Sequence, residues 1–387
     1  MFSHIPRNIV LLGIASLLTD ISSDMILPIL PIYLTQQLKI SPIFLGLIEG
    51  IANSAVSFFT LSSGWLSDRF QKRKIWISVG YSLSALGKPT LALVTVGWQA
   101  LFIRFMDRMG KGIRTSPRDA LISETAEAKF VGKAFGFHRT LDSAGAILGP
   151  LLAFLILPLL NQDYQKLFLI AFIPAFLSCC IIIFWLKEKK SVHTHPDLKT
   201  LKLKEFLAFD EKFKYLILAI GIFSLSNASD TFLFLKAHSA GVKILYLPLL
   251  WVVMNISYTL FSFPAGTLSD RLGRPKLILF GFIIYSLSYL GFAFATAAYQ
   301  IFLLFFLYGI YYGISDGLLR ALVSDLVPAQ KKGTAFGIYH FVIGVTVLPA
   351  SLIFGFLWQS FSPPIPFLFS SVISLASALI LYLTQTN

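Results

Sequence analysis

Ionisable side chains recur at helical spacing inside stretches that are otherwise apolar. Asp20 and Asp24 are four apart, as are Glu49 and Asn53, Arg104 and Arg108, Arg114 and Arg118, and His138 and Asp142. On a helix each pair shares one face. Within the apolar spans of the first half, six acids (Asp20, Asp24, Glu49, Asp107, Asp119, Asp142) accompany seven bases (Lys88, Arg104, Arg108, Lys111, Arg114, Arg118, Arg139). The second half offers chiefly Asp230, Lys236, Asp316 and Arg320.

At a helix centre in lipid each such group costs at least ~2.5 kcal/mol, so each needs a partner, a wet cavity or a function. The near-balance of signs predicts internal pairing. A carboxylate flanked by arginines can exchange a proton for the charge of a bound anion, which makes Asp20, Asp24, Glu49 and Asp142 the titrating candidates. Guanidinium groups such as Arg104, Arg108 and Arg139 suit carboxylates or phosphates through bidentate contacts. His138 is either a proton relay or a simply hydrogen-bonded histidine. Arg114, Arg118 and Asp119 read as ion-paired residues near a helix end. Tyr308 and Tyr312, one turn apart and next to Asp316, predict an aromatic wall, and a cavity with charged and aromatic walls suits an amphipathic organic anion.

These residues need helices to hold them. Of 387 residues, 56% are hydrophobic and 13% charged, about half the charge of a soluble globular chain. At ~20 apolar residues per span the chain divides into twelve helices, with ten or eleven as the alternative counts, read here as 8–34, 43–66, 75–97, 99–122, 133–160, 166–186, 213–238, 244–267, 276–296, 299–322, 334–357 and 365–384. The expected fold is an all-α integral membrane protein, two pseudo-symmetric six-helix bundles (1–186 and 213–387) joined by a basic linker, 187–212, with no sizeable soluble domain.

The net charge of +13 sits in alternate connectors: Arg69, Lys72, Arg73 and Lys74; Lys129 and Lys133; Arg271, Arg274 and Lys276; Lys331 and Lys332. This is positive-inside patterning rather than a nucleic-acid groove, and with an even span count it places both termini in the cytoplasm. The adjacent Cys179 and Cys180 make neither a zinc site nor a disulfide framework. No cleavable leader precedes the first apolar run. The chain lacks a His-Glu-x-x-His motif, a Gly-x-Ser-x-Gly turn and a Gly-Lys-Ser/Thr phosphate loop, which argues against an enzyme.

The chain also repeats itself. Gly64-Trp65-Leu66-Ser67-Asp68-Arg69 recurs 202 positions on as Gly266-Thr267-Leu268-Ser269-Asp270-Arg271. Ala120-Leu121-Ile122-Ser123-Glu124 and Gly132-Lys133-Ala134-Phe135-Gly136 recur 201 positions on. Three collinear matches define a duplicated six-helix unit, and such halves place a substrate site at their interface near mid-membrane.

The Gly-x-Leu-Ser-Asp-Arg segment, complete through Gly273-Arg274-Pro275-Lys276 in the second copy and with Gln71 in place of a glycine in the first, resembles the signature loop of the major facilitator superfamily. The resemblance covers the whole chain. It implies gating roles for Gly64, Asp68, Arg69, Gly266, Asp270 and Arg271. Physically, the two glycines would let a neighbouring helix approach closely, and the aspartates would pair with a basic residue or a helix N-terminus. Topology and folding alone are the alternative for these loop residues.

Arg104-Phe105-Met106-Asp107 resembles the arginine segment of helix four in that superfamily, with Arg108 where a glycine is usual. Gly145-Ala146-Ile147-Leu148-Gly149-Pro150 resembles its helix-five antiporter segment and adds Gly149 and Pro150 to the gating candidates, with Arg118 and Asp119 at the cytoplasmic end. The run from Asp107 to Arg114 with Pro117-Arg118-Asp119 looks like a bacterial branch of unknown substrate.

The expectation is a proton-coupled secondary transporter for a small anionic or zwitterionic organic solute, with export favoured. It would reside in the inner membrane as a monomer, without cofactor or nucleic acid, and be energised by the proton gradient. The alternatives are a multidrug/proton antiporter and a non-transporting membrane sensor or assembly factor.

Overall fold

The computed structural model describes residues 5–70, 72–127, 130–188, 209–328 and 332–385. Most of the expected linker, 187–212, lies outside them. Among the described residues the regular structure is helical throughout.

In chain order the α-helices are α1 (Arg7–Ile26), α2 (Leu30–Ile32), α3 (Pro42–Phe70), α4 (Arg73–Leu91), α5 (Gly97–Thr125), α6 (Val131–Leu159) and α7 (Tyr164–Cys180). They continue with α8 (Glu211–Ser226), α9 (Thr231–Ser239), α10 (Leu247–Leu272), α11 (Arg274–Phe294), α12 (Ala298–Asp325), α13 (Lys332–Ser360) and α14 (Pro364–Gln385). Short π-helical turns extend α2 through Gln37 and α7 through Trp185.

Taking α1 with α2 and α8 with α9, these make the twelve expected spans. Ten are apolar enough over membrane length to cross a bilayer. The other two, α4 and α5, carry the charges described below.

Two expected spans prove discontinuous. The first breaks at Leu27–Ile29, between Asp24 and Pro31, and the seventh at Asn227–Asp230. Pro28 and Pro31 explain the first break, because proline removes a backbone donor and restricts the residue before it. Asn, Ser and Asp at 227, 229 and 230 explain the second, because their side chains compete for backbone hydrogen bonds.

Helix α4 ends at Leu91 rather than near 97. Pro89 removes a helix hydrogen bond, and Gln99 Oε1 accepts from the Thr95 and Val96 amides at 2.8 and 3.3 Å, which fixes those residues ahead of α5. The same device recurs 201 positions on, where Gln300 Oε1 accepts from the Thr296 and Ala297 amides ahead of α12.

The chain packs as two compact units: Met1–Lys39 with Ile51–Leu198, and Ile40–Gly50 with Lys199–Asn387. The first turns of α3 thus cluster with the second unit, a feature no composition shift foretells. Gly46 and Gly50 are responsible, since a Cβ on Gly46 would collide with Ser351 O and one on Gly50 would lie 2.7 Å from Leu348 Cδ1 of α13.

Within the first unit α4 crosses α5 where a Cβ on Gly80 would meet Gly110 O at 2.6 Å, and α1 lies against α6 at Gly145 and Gly149. Lipid provides no hydrophobic drive between helices, so such small-residue approaches and short polar bridges hold them together. Ser178 of α7 donates to Ala15 O of α1 at 2.8 Å, and Ser22 donates to Ala171 O at 2.6 Å. In the second unit Ser286 pairs with Ser371 at 2.7 Å, and Ser377 donates to Ala219 O at 2.7 Å. Phe263, Leu159, Trp98 and Tyr299 present exposed apolar surface, as membrane helices do.

Candidate functional site

The first unit concentrates buried charge on α5 and the helices facing it. Lys88 of α4 reaches across to Asp107, Nζ to Oδ1 3.0 Å, and donates to Ser23 of α1 at 3.2 Å. Arg104 approaches the other oxygen of Asp107 at 3.4 Å. Lys88, Arg104 and Asp107 are all buried. Further along the helix, Arg114 donates to Ser84 Oγ at 2.8 Å and lies 4.6 Å from the centroid of the Tyr81 ring. Ser84 in turn donates to Asp107 O at 3.0 Å.

Asp20, half-buried on α1, lies within electrostatic reach of Asp142, Lys111, Arg114 and Arg118, and Asp24 within reach of Lys111. Lys111 itself is exposed, and Arg108 is half-buried. His138 Nδ1 lies 3.5 Å from Asp142 Oδ2. Arg118 pairs with Asp119 at 2.9 Å and donates to Ser16 at 3.4 Å. Of the expected cluster, Arg139 is exposed and Asn53 is half-buried on α3. In the sequence Lys88 reads only as one base among seven; its deep pairing with Asp107 makes it a central member.

The second unit is built differently. Glu49, 1% exposed, belongs to this unit and accepts from Ser229 in the break of the seventh span at 3.3 Å. Tyr308 donates to Asp230 Oδ1 at 2.6 Å. The Tyr289 ring stacks on that of Tyr285 with centroids 4.2 Å apart, and Tyr285 donates to Ser226 O, the last residue of α8, at 2.7 Å. The break is therefore bracketed by tyrosines on both sides.

Of the two tyrosines expected beside Asp316, Tyr312 lies one turn from it and within its electrostatic reach, and Tyr308 does not. Tyr308 is fully buried and turned to Asp230, with Tyr312 edge-on to it at 5.2 Å, while Asp316 pairs with Arg320 one turn on. Tyr308 and Asp316 are eight residues apart, so their side chains are more than two turns distant along the helix.

The duplicated loops carry matching ion pairs. Arg73 bonds Asp68 at 2.8 Å and Glu124 at 2.6 Å, and Glu188 accepts from the Arg73 and Lys74 amides at the start of α4. In the second copy Arg274 bonds Asp325, the counterpart of Glu124, and donates to Ala321 O at 3.0 Å. Gly64 lies against α5, where a Cβ would meet Ser116 Oγ at 2.5 Å, whereas Gly266 has nothing within 4 Å. The close-approach reading thus holds for Gly64 and is corrected for Gly266, whose neighbourhood is open. Arg69 lies over Trp65, Arg271 is exposed, and the side chain of Asp270 lies outside the described residues. Gly149 and Pro150 are buried, with Gly149 abutting Ile21 of α1.

Twelve spans, an internal repeat and charge buried inside helices of membrane length define a multi-pass membrane transporter rather than an enzyme. The Major Facilitator Superfamily model matches residues 12–255 and 237–387, and the chain belongs to that family. It is 38% identical over 384 residues to an uncharacterized MFS-type transporter, MJ1317, of Methanocaldococcus jannaschii, covering 98% of this chain and 95% of that one. It is 23% identical to the cis,cis-muconate transport protein of Acinetobacter baylyi (92% and 88% covered) and 22% identical to the multidrug resistance protein MdtH of Salmonella arizonae (84% and 79%). Among solved structures it is similar to the nucleoside transporter NupG, with a TM-score of 0.80, 14% identity and coverage of 99% and 100%.

Proposed function

We propose that this protein is a proton-coupled secondary transporter of a small organic anion or zwitterion. It would work by alternating access in the inner membrane, as a monomer with both termini cytoplasmic, and export is the favoured direction. The observation that carries the reading is the buried basic face of α5, where Arg104 and Arg114 lie inside the first unit with Lys88 of α4 beside them. Guanidinium and ammonium groups held away from bulk water attract carboxylates and phosphates far more than cationic drugs. A relative whose name records transport of cis,cis-muconate, a dicarboxylate, supports the same solute class. Asp20, Asp24, Glu49 and Asp142 are the carboxylates proposed to exchange protons.

A second reading, a multidrug/proton antiporter, is favoured by the MdtH relative. Purified protein in liposomes loaded with a pH-sensitive dye separates the two when organic acids and cationic drugs are added in turn. The proposal predicts proton flux triggered by organic acids and lost in Arg104→Ala and Glu49→Gln. Flux with cations alone would establish the antiporter instead, and silence with every solute would favour a non-transporting sensor or assembly factor.

A further inference from the structure

Most of the intramembrane charge in the first unit is paired. Lys88 and Arg104 are committed to Asp107, Arg118 to Asp119, and Asp142 to His138. Three charged side chains stand apart from this: Asp20 on α1, and Lys111 and Arg114 one turn apart on α5. None of the three makes an ion-pair contact among the described residues. Arg114, which the sequence suggests is ion-paired, is 5% exposed and has only neutral partners, the Ser84 hydroxyl and the face of the Tyr81 ring. Lys111 is exposed and Asp20 half-buried, so an approaching molecule can touch both.

Bonds on either side fix where these groups stand. Arg118 of α5 donates to Ser16 of α1 at 3.4 Å, and Lys88 of α4 ties Asp107 of α5 to Ser23 of α1. Pairing 16 with 118 and 23 with 107 makes α1 and α5 antiparallel, and the stretch between the two ties is Asp20 on one helix and Lys111 and Arg114 on the other. Lys111 is seven residues before Arg118 and so lies on the same face, the one that meets α1. The charges agree with that register, since Asp20 is within electrostatic reach of Lys111 and Arg114, and Lys111 within reach of Asp24. Behind Asp20, Gly145 of α6 packs against the root of the side chain, where an added Cβ would lie 2.9 Å from Asp20 Cβ.

The slot therefore has an acidic wall, α1, and a basic wall, α5, whose facing charges are not closed on each other. A plain anion would be drawn to Lys111 and opposed by Asp20, and a plain cation the reverse. A molecule with both an ammonium and a carboxylate satisfies both walls at once. Lys111 and Arg114, at i and i+3, can take the two oxygens of one carboxylate through charge-assisted hydrogen bonds.

We infer that the slot between α1 and α5 binds a zwitterionic, amino acid-like solute, its ammonium on Asp20 and its carboxylate on Lys111 and Arg114. The site rests on the transport reading above and narrows the solute from anions and zwitterions to zwitterions. Asp20 is then a ligand of the solute as well as one of the carboxylates proposed to exchange protons.

Matched probes test this on the purified protein in detergent: leucine with isocaproate and isoamylamine, phenylalanine with hydrocinnamate and phenethylamine, and γ-aminobutyrate with butyrate and propylamine. Binding is read from the rise of the thermal unfolding midpoint with probe concentration. In a triplet that fits, the zwitterion should bind at least roughly tenfold more tightly than its acid or its amine, the worth of one charge-assisted hydrogen bond. Lys111→Gln should shrink the advantage over the amine severalfold and keep that over the acid, and Asp20→Asn should do the opposite, a crossed loss that a merely structural role would not produce. Because neither side chain is ion-paired, both variants should keep the native midpoint without probe. A clearly lowered midpoint in both, acids bound as tightly as zwitterions, or no binding by any probe overturns the site. Proton flux with organic acids in liposomes would then still support anion transport, whereas zwitterion binding without proton flux would leave the site standing and remove the proton-coupled reading.

Discussion

At the scale of single residues, the Lys88–Asp107 pair makes the sharpest claim. Both side chains are nearly buried and each holds a third group, Ser23 or Arg104. Removing one partner of a buried pair strands a charge, at about 3–5 kcal/mol, whereas removing both is often close to neutral. Lys88→Met and Asp107→Asn should therefore each lower the thermal unfolding midpoint in detergent clearly, and the double variant should recover most of the loss. A double variant no better than the sum of the singles would mean that the two side chains do not act as a pair. Tyr308→Phe should also destabilise, by about 1–3 kcal/mol, because Asp230 loses a buried donor. The charges themselves were plain in the sequence, as islands in apolar runs, and so was the His138–Asp142 spacing. The partner choices were not. Lys88 finds Asp107 across a helix crossing set by Gly80 and Gly110, and Tyr308 turns to Asp230 because a chain break brings Asp230 there.

At the scale of elements, helix ends and crossings decide the geometry. Asp163 caps α7 by accepting from the Lys166 amide at 3.1 Å and pairs with the Lys166 ammonium. These contacts, the backbone hydrogen bond first, hold its carboxyl below the usual aspartate range. A depressed carboxylate contributes stability that is present above its unfolded pKa and lost as the pH falls through the folded one. Asp163→Ala should thus destabilise by about 1 kcal/mol near neutral pH, with the difference from native shrinking as the pH is lowered below the ordinary aspartate range. Thermal unfolding across an acid series measures it. Where α4 crosses α5, Gly80→Val should force the helices apart and weaken the Arg114–Ser84 and Ser84–Asp107 bonds, lowering stability more than the same change at Gly266, where nothing lies within 4 Å. Helix positions followed from hydropathy to within a few residues. The broken first and seventh spans did not, because apolar residues such as Ile26 and Leu30, or Phe223 and Phe232, continue the pattern on both sides of each gap.

At the scale of the whole molecule, the repeat extends beyond its loop motifs. Positions 201 apart correspond: the Lys88–Asp107 ion pair in one unit stands where the rings of Tyr289 and Tyr308 lie 6.0 Å apart in the other, and Gly80 matches Gly281, each at a close helix approach. The two units share the helix approach and differ in its chemistry, ionic in one and phenolic in the other. The Arg73–Glu124 and Arg274–Asp325 bridges, by contrast, were retained in both units. Charge reversal in the second unit, Arg274→Glu, should reduce stability or folded yield, and the compensating Arg274→Glu/Asp325→Arg pair should restore much of it. Failure of that restoration would make the bridge incidental. A fluorescent protein fused after Asn387 should fluoresce if the basic connectors have oriented the chain with its C-terminus in the cytoplasm. The family, the helix count and the twofold repeat were legible because they are written in local motifs and periodicity. The assignment of residues 40–50 to the second unit was not, because it depends on a glycine contact with a helix some 300 residues away.

The polarity of α5 bears on how the protein is made. Arg104, Asp107, Arg108, Lys111, Arg114, Arg118 and Asp119 all lie within one helix, and at roughly 2.5–3.5 kcal/mol per central charge such a segment will not partition from a translocation channel into lipid unaided. Its main compensating partners, Lys88, Ser84 and Tyr81, are on the preceding helix. The two helices should therefore leave the channel together as a hairpin, and a nascent chain that stops after α5 but lacks α4 should slip through to the far side of the membrane.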